Sequence, residues 1–149
     1  MSILFINGSP NKNGNTTELA NTLMDGKDYR TLHLVDYKLY GYGQNFADDQ
    51  FAEILESMKE ADTIVIGSPV YWHSMCGLVR NLLDRFYGPV GEGELGGRKF
   101  VFLFQGAAPE KGMLEKAEYT MSRFARMYGM EYVGMATNEA EAKKLSEKI

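Results

Sequence analysis

The amino-acid sequence predicts an α/β fold with three layers, in which helices cover both faces of an open, parallel, five-stranded sheet. Three short segments are apolar at odd and even positions alike: Ile3–Ile6, Thr63–Gly67 and Phe100–Phe104. Strands that are buried on both faces have this pattern and belong to parallel sheets. Helical patterns separate them, and strict alternation of strand and helix is typical of this class. The chain has 149 residues, and we expect residues 1–149 to form a single domain.

Two further segments, Tyr29–Val35 and Met130–Ala136, mix apolar and polar residues. A strand with one neighbour and more solvent contact has this composition, so we expect both segments at the edges of the sheet. With the first, third and fourth strands in the interior, the strand order 2-1-3-4-5 follows.

Four amphipathic helices and a final polar one are expected between and after these strands. The polar helix covers Glu139–Lys148. The apolar positions that define the other four are Leu19, Ala20 and Leu23; Phe51, Ile54, Leu55 and Met58; Met75, Leu78, Val79, Leu82 and Phe86; and Leu114, Ala117, Met121, Phe124, Ala125 and Tyr128.

Composition limits the cellular setting and the kinds of partner. The formal net charge is −4 without a lysine or arginine cluster, which argues against a nucleic-acid partner. No apolar segment approaches the ~20 residues that span a bilayer, and no targeting peptide is recognisable. Cys76 is the single cysteine, as is common in a reducing compartment. We therefore expect a cytoplasmic protein without a membrane partner, and the two histidines and one cysteine predict no metal site.

The most polar segment near the start of the chain, GSPNKNGNTT, follows the first buried strand and precedes the first helix. Ligands of open parallel sheets bind beyond the carboxyl ends of the strands, where the strand order reverses, and this loop borders that point. Asn15 followed by Glu18 indicates a helix N-cap, with the helix beginning near Thr16 and its first amides unpaired. The loop adds small donors and one cation, which together predict a phosphate site: Ser9, Asn11, Asn13, Asn15, Thr16, Thr17 and Lys12.

Two common nucleotide-binding loops are excluded. The spacing from Gly8 to Gly14 is too long for a P-loop, and no Gly-Lys-Ser/Thr follows. Pro10 stands where the dinucleotide motif needs its second glycine. A polar surface loop with an ordinary helix cap is the alternative interpretation.

Two motifs carry a resemblance to a known family. GSPNKNGNT keeps the glycines, serine, asparagine and threonine of the phosphate loop of flavodoxin-like NAD(P)H-dependent FMN reductases and multimeric flavodoxins. GSPVYWHSMCGLVRNLLDRF, residues 67–86, is similar to that family's second signature. The family's usual arginine is replaced by Asn11, with Lys12 as the candidate substitute, and its frequent lysine is replaced by Arg80. The resemblance covers nearly the whole chain and implies the flavodoxin-like form of the predicted fold.

The resemblance implies an FMN cofactor. Pro69 is expected to hold the chain extended just beyond the sheet, so that the next four residues cross the cleft. Backbone amides and large flat side chains would there meet the flavin ring, although core or interface packing is the alternative for Tyr71 and Trp72. The predicted FMN-binding residues are Ser9, Asn11, Lys12, Asn15, Thr16, Thr17, Pro69, Val70, Tyr71, Trp72, His73 and Gly106.

The function implied is an FMN-dependent oxidoreductase that passes hydride from NAD(P)H through flavin N5 to a small-molecule acceptor. The acceptor would be a quinone, a nitro or azo compound, or free flavin. No carboxylate pair or nucleophile–base group is present to nominate, so no catalytic residue is predicted. The alternatives are a one-electron carrier of the flavodoxin type and a flavin-binding regulatory protein without turnover. Relatives are often dimers, which implies a homodimer.

Several other residues are expected to be structural. Arg80 and Asp84 are spaced as a surface ion pair, while Asp84-Arg85 should tie the third helix to a neighbouring loop. Gly77 is expected where that helix packs closely, Cys76 as a small buried residue, and His33 as exposed.

The loop Asp36–Asp49 holds no cysteine, whereas iron–sulfur flavoproteins of the wider group carry several there, so no Fe–S cluster is predicted. Its aromatic residues either wall the active site or a dimer interface, or pack on one another.

Overall fold

A computed structural model describes all 149 residues. Five parallel strands form the sheet in the order β2-β1-β3-β5-β6, and the short β4 pairs antiparallel with the end of β3. Counting only the parallel strands, this is the predicted order, so the predicted flavodoxin-like α/β fold is confirmed. The strands are β1 (Ile3–Asn7), β2 (Arg30–His33), β3 (Thr63–Tyr71), β4 (Ser74–Met75), β5 (Lys99–Gln105) and β6 (Glu131–Ala136).

Helices occupy the positions between the strands, and a short 3-10 helix, Leu34–Asp36, follows β2. In α2, the four residues predicted to face the core are the four that are buried. None of the helices has both the length and the apolar composition needed to cross a bilayer. The helices are α1 (Asn15–Leu23), α2 (Phe51–Lys59), α3 (Gly77–Arg85), α4 (Lys111–Met127) and α5 (Glu139–Ser146).

The interior strands bury alternate side chains in two different cores. In β3, Ile64 and Ile66 belong to a core under α2, α3 and α4, while Val65 belongs to one under α1 and α5. Leu4 and Phe5 divide in the same way between the two faces of β1. Successive side chains of a strand point to opposite faces, so a strand that is covered on both must be apolar throughout. This is why the sequence pattern located these strands.

The third strand is longer than its apolar segment predicts. Its ladder with β5 continues to the pair Pro69–Gln105, and the chain then turns back through β4. The expectation that Pro69 lies beyond the sheet is therefore wrong, as is the placement of Met75 in α3. Proline has no N–H to donate to a neighbouring strand. Near the end of a strand this loss removes few of the hydrogen bonds between strands.

The second strand is shorter than predicted, since only Arg30–His33 pairs with β1. The remaining residues, Leu34 and Val35, turn into the 3-10 helix. Leu34 is fully buried there, so it packs in the core without belonging to the sheet.

Candidate functional site at the carboxyl edge of the sheet

Three connections meet at the carboxyl edge of the sheet: the loop 8–14 after β1, the β3–β4 turn, and the segment 106–110 after β5. The Gly8 amide donates to the Gly67 carbonyl at 2.8 Å, which joins the first loop to β3. A methyl group at Gly106 would lie 2.8 Å from Cβ of Val70, so the third connection touches the second. Because β1 lies between β2 and β3, these segments surround the point where the strand order reverses.

The loop after β1 is shaped by its own side chains. Asn7 Oδ1 accepts from the Ser9 amide at 3.0 Å, Ser9 Oγ accepts from the Asn11 amide at 3.1 Å, and Asn11 Oδ1 accepts from the Asn13 amide at 3.1 Å. Each bond closes a small turn of the kind that asparagine and serine favour. The Ser9 and Asn11 side chains thus hold the loop's conformation, a role that the sequence analysis did not assign to them.

The first helix begins without a side-chain cap. Its N-cap is Gly14, with φ −95° and ψ −163°, and no side chain accepts from the first amides. The predicted N-cap, Asn15, is instead the first helical residue, so that prediction is wrong. The first bond of the helix runs from the Glu18 amide to the Gly14 carbonyl at 3.0 Å. The amides of Asn15, Thr16 and Thr17 precede that bond and are left to an external acceptor.

The single cation of the loop already has a partner. Lys12 Nζ lies 2.7 Å from Asp36 Oδ2, and both side chains are about half exposed. The Lys12 carbonyl also accepts from Thr17 Oγ1 at 2.7 Å, which ties the loop to the first turn of α1. Thr16 is buried, and its Cγ2 lies 2.7 Å from where a Cβ of Gly67 would be. Lys12 is therefore paired with Asp36, and Thr16 packs against β3.

The β3–β4 hairpin turns through two bulky residues with positive φ, Trp72 at 49° and His73 at 62°. Two-residue hairpins favour this backbone shape, but asparagine and glycine are its usual occupants. Trp72 is 94% exposed and Tyr71 is 47% exposed. Below the turn, Ser68 Oγ accepts from the Cys76 amide at 2.9 Å. The alternative interpretation, that Tyr71 and Trp72 pack in the core of the chain, is therefore wrong.

One important residue escaped the sequence analysis. Asn7, the last residue of β1, is fully buried and contacts the loop, α1 and β2 through its side-chain amide. The signal that could have found it is a polar side chain at the end of an otherwise apolar strand, since buried polar groups are almost always hydrogen-bonded. One of its contacts is His33, which is half-buried and not exposed as expected.

The expectations for the charged residues of α3 are confirmed. Arg80 Nε lies 3.4 Å from Asp84 Oδ1, as predicted. Arg85 ties α3 to a neighbouring loop, as predicted, through the Asp49 carboxylate and the Tyr40 carbonyl.

Two expectations concern the start of α3. Cys76 is buried as predicted. Gly77 is exposed, and a Cβ there would meet no atom within 4 Å, so the prediction of close packing at this residue is wrong.

The loop between the 3-10 helix and α2 packs largely on itself. The rings of Tyr40 and Phe46 lie 4.6 Å apart, and Tyr40 Oη donates to Asp48 Oδ1 at 2.9 Å. Tyr42 is 66% exposed and meets Tyr87 edge-on at 6.2 Å. Tyr40 and Phe46 thus pack on each other within the loop, whereas Tyr42 meets a residue outside it.

The sheet order and the uncapped helix at its reversal point define a flavodoxin-like α/β protein. Within that class, the chain belongs to the NADPH-dependent FMN reductase family, whose sequence model matches residues 1–142. The predicted family is therefore confirmed.

Two curated proteins resemble the chain in sequence, and one solved structure resembles it in fold. An iron–sulfur flavoprotein of Archaeoglobus fulgidus is 38% identical over 98 residues, which cover 57% of this chain and 48% of the relative. An iron–sulfur flavoprotein of Methanocaldococcus jannaschii is 34% identical over 99 residues, which cover 57% and 51%. The chain thus spans about half the length of these curated relatives. The structure of a Trp repressor binding protein from Bacillus subtilis has a TM-score of 0.77 at 18% identity, covering 96% of this chain and 98% of that one.

Proposed function

We propose that the chain binds FMN at the carboxyl edge of the sheet and acts as an NAD(P)H-dependent flavin oxidoreductase. The observation that carries the proposal is the start of α1, where the amides of Asn15, Thr16 and Thr17 have no side-chain cap. A helix N-terminus with free amides attracts anions, and a dianionic phosphate satisfies several of these donors at once. Membership of the FMN reductase family supports this choice of ligand.

The donors suit a phosphate in number and in charge. Hydrogen bonds to a charged group contribute about 1.5–3 kcal/mol each, so three amides supply several kcal/mol before ordering costs. Lys12 adds a positive charge within the loop, although Asp36 neutralises part of it. In this proposal the Ser9 and Asn11 side chains shape the phosphate loop through their turns, and the Thr17 hydroxyl anchors it to α1.

The hairpin and the third connection suit the flavin ring. Val70 and the exposed rings of Tyr71 and Trp72 offer apolar surface, and His73 lies beside them on the turn. Pro69 fixes the end of β3, and Gly106 leaves room beside Val70 because it has no side chain. Flat aromatic surface with backbone groups nearby is what a planar heterocycle needs.

When bound, FMN would supply the redox chemistry, taking hydride from NAD(P)H at N5 and passing electrons to a quinone, a nitro or azo compound, or free flavin. The protein would bind and orient the reactants and keep the ring against the hairpin. No catalytic residue is proposed, because neither a carboxylate pair nor a nucleophile beside a base lies at this edge.

The proposal also covers the domain organisation, oligomeric state, location and cofactor content of the protein. We propose that residues 1–149 form one flavin-binding domain of a cytoplasmic homodimer, with neither a nucleic-acid nor a membrane partner. We also propose that these residues hold no Fe–S cluster, although the two curated relatives are named iron–sulfur flavoproteins. Such clusters need about four cysteine ligands, and this sequence has one.

Purification without added cofactor, followed by a visible spectrum, tests the proposal. We expect flavin absorption, or quenching of FMN fluorescence when FMN is added, and oxidation of NADH or NADPH once an acceptor such as menadione is supplied. A protein that neither carries nor binds FMN would refute the proposal. FMN binding without NAD(P)H oxidation would instead indicate an electron carrier or a regulatory protein.

Asn15→Asp tests where the phosphate sits. A carboxylate at the first residue of α1 would repel a phosphate held by the neighbouring amides, so we expect FMN to bind about tenfold more weakly, the equivalent of about 1.4 kcal/mol. Riboflavin, which has no phosphate, should bind with unchanged affinity. The measurement is a fluorescence titration with each flavin, and Asn15→Ser is the neutral control. An equal loss of affinity for both flavins would place the phosphate elsewhere.

A further inference from the structure

The side chain of Asn7 joins three parts of the proposed phosphate site. Its Oδ1 accepts from the Ser9 amide at 3.0 Å. Its Nδ2 lies 3.4 Å from the Asn11 carbonyl, 3.4 Å from Thr17 Oγ1 and 3.1 Å from His33 Nδ1. One fully buried residue therefore contacts the start and middle of the loop, the first turn of α1 and the end of β2.

The orientation of this amide is fixed by its backbone partners. The Ser9 amide can only donate and the Asn11 carbonyl can only accept, so the oxygen must face Ser9 and the nitrogen must face Asn11. His33 Nδ1 then faces an N–H donor and must be the acceptor, which places the proton of the neutral imidazole on Nε2. Nδ2 has two hydrogens, which the Asn11 carbonyl, Thr17 Oγ1 and His33 Nδ1 share in this single orientation.

The backbone on either side of Asn7 leaves this arrangement little freedom. Asn7 pairs with His33 of β2 and with Gly67 of β3 in the sheet. The next residue, Gly8, donates to the Gly67 carbonyl at 2.8 Å. The sheet thus holds the asparagine in place, and its side chain bonds to a loop whose own backbone is bonded to the sheet only at Gly8.

We propose that Asn7 is the positioning residue of the phosphate loop, which holds the loop and the first turn of α1 in binding geometry before a ligand arrives. The inference depends on the proposed FMN site but assigns a role to a residue that would not touch the phosphate. Preorganised donors bind more tightly because the ordering cost is met when the protein folds. Leucine has a similar volume but makes none of these bonds, and aspartate keeps the bond to Ser9 but cannot donate to Asn11.

The experiment compares the wild-type chain of residues 1–149 with Asn7→Leu, Asn7→Asp and Ile64→Val. Ile64→Val is the control, since it removes a methyl group from the same core sheet far from the loop. Two readouts are measured for each: the ratio of the Kd values of riboflavin and FMN, and amide hydrogen exchange across residues 8–17 without ligand. Asn7→Asp is included because it retains one bond if Asn7→Leu fails to fold.

We expect Asn7→Leu to reduce the preference for FMN over riboflavin about tenfold and to speed exchange of the Ser9, Asn11 and Asn13 amides by a similar factor. Asn7→Asp should preserve protection at Ser9 but speed exchange at Asn13, because Asn11, whose Oδ1 accepts from the Asn13 amide, loses its bond to Asn7 Nδ2. Ile64→Val should leave both readouts near wild type. An unchanged preference and unchanged exchange in both Asn7 variants would overturn the proposal. A wild-type chain that shows no preference for FMN would instead refute the FMN site itself, and with it the inference.

Discussion

Asp49→Asn is expected to lower the free energy of unfolding at pH 7 by about 2–4 kcal/mol, because it leaves the Arg85 guanidinium largely buried without its counter-ion. Arg85 donates to both carboxylate oxygens of Asp49, at 2.6 and 2.8 Å, and the two side chains are only 16% and 18% exposed. The same guanidinium donates to the Tyr40 carbonyl at 3.0 Å and lies 5.1 Å from the centre of the Phe51 ring. The pair therefore ties α3 to the loop before α2.

The pH dependence of this effect follows from the pKa of Asp49. Hydrogen bonds from Arg85 lower that pKa from 3.8 to about 2. A carboxyl group with a depressed pKa in the folded state stabilises the protein above its ordinary pKa, and the contribution is lost as pH falls through the folded pKa. The difference in stability between wild type and Asp49→Asn should therefore narrow as the pH is lowered from about 5 towards 2.

Urea denaturation at several pH values measures this difference. Asp84→Asn is the matched control, since Asp84 forms an ion pair on the same helix with Arg80, but both side chains are more than a third exposed. Exposed pairs contribute little, so the control should lose less than about 0.5 kcal/mol. If the two variants had equal free energies of unfolding, the Asp49–Arg85 pair would contribute no more to stability than an exposed ion pair.

Gly8→Ala is expected to destabilise the protein by about 1–3 kcal/mol and to weaken FMN binding by tenfold or more. A Cβ at Gly8 would lie 2.8 Å from the Gly67 carbonyl oxygen and would overlap Cγ2 of Val79. These overlaps can be relieved only if the start of the loop moves away from β3, because the Gly67 carbonyl is held in the sheet. Such a shift would also strain the 2.8 Å bond from the Gly8 amide to that carbonyl.

Thermal unfolding and FMN titration measure the two effects of Gly8→Ala. Gly77→Ala is the control, because a Cβ at the exposed first residue of α3 meets no atom within 4 Å. Alanine at a compatible helical position is neutral or stabilising. A Gly8→Ala protein that behaved like Gly77→Ala would show that the loop tolerates displacement from β3.

The fold was predictable because burial on both faces leaves a direct mark on the sequence. Leu4, Phe5 and Ile6 enter different cores in alternation, so a continuous apolar segment is the only pattern that satisfies both faces. The end of β3 left no such mark. Pro69 and Ser68 read as loop residues, yet both pair with β5, because the neighbouring strand continues alongside them.

The position of the polar loop after β1 was predictable, but the hydrogen bonds within it were not. The polar loop after β1 could be placed at the reversal of strand order from the pattern of elements alone. The partner of Lys12 could not, because Asp36 lies in a separate 3-10 helix and meets Lys12 only through the pairing of β1 with β2. The cap of α1 was misassigned because Asn15 and Glu18 have the spacing of a capping pair, whereas Gly14 adopts the extended backbone itself.

Trp72 and His73 are the two non-glycine residues with positive φ, so this kind of backbone strain is confined to one turn. Large L-residues in this region of the Ramachandran map cost on the order of 1–3 kcal/mol each, and only two residue pairs join β4 to β3. The backbone strain therefore lies in a short hairpin, which can change conformation without disturbing the five parallel strands. A molecule that packed on the exposed Trp72 ring would therefore contact a strained turn and not the regular sheet.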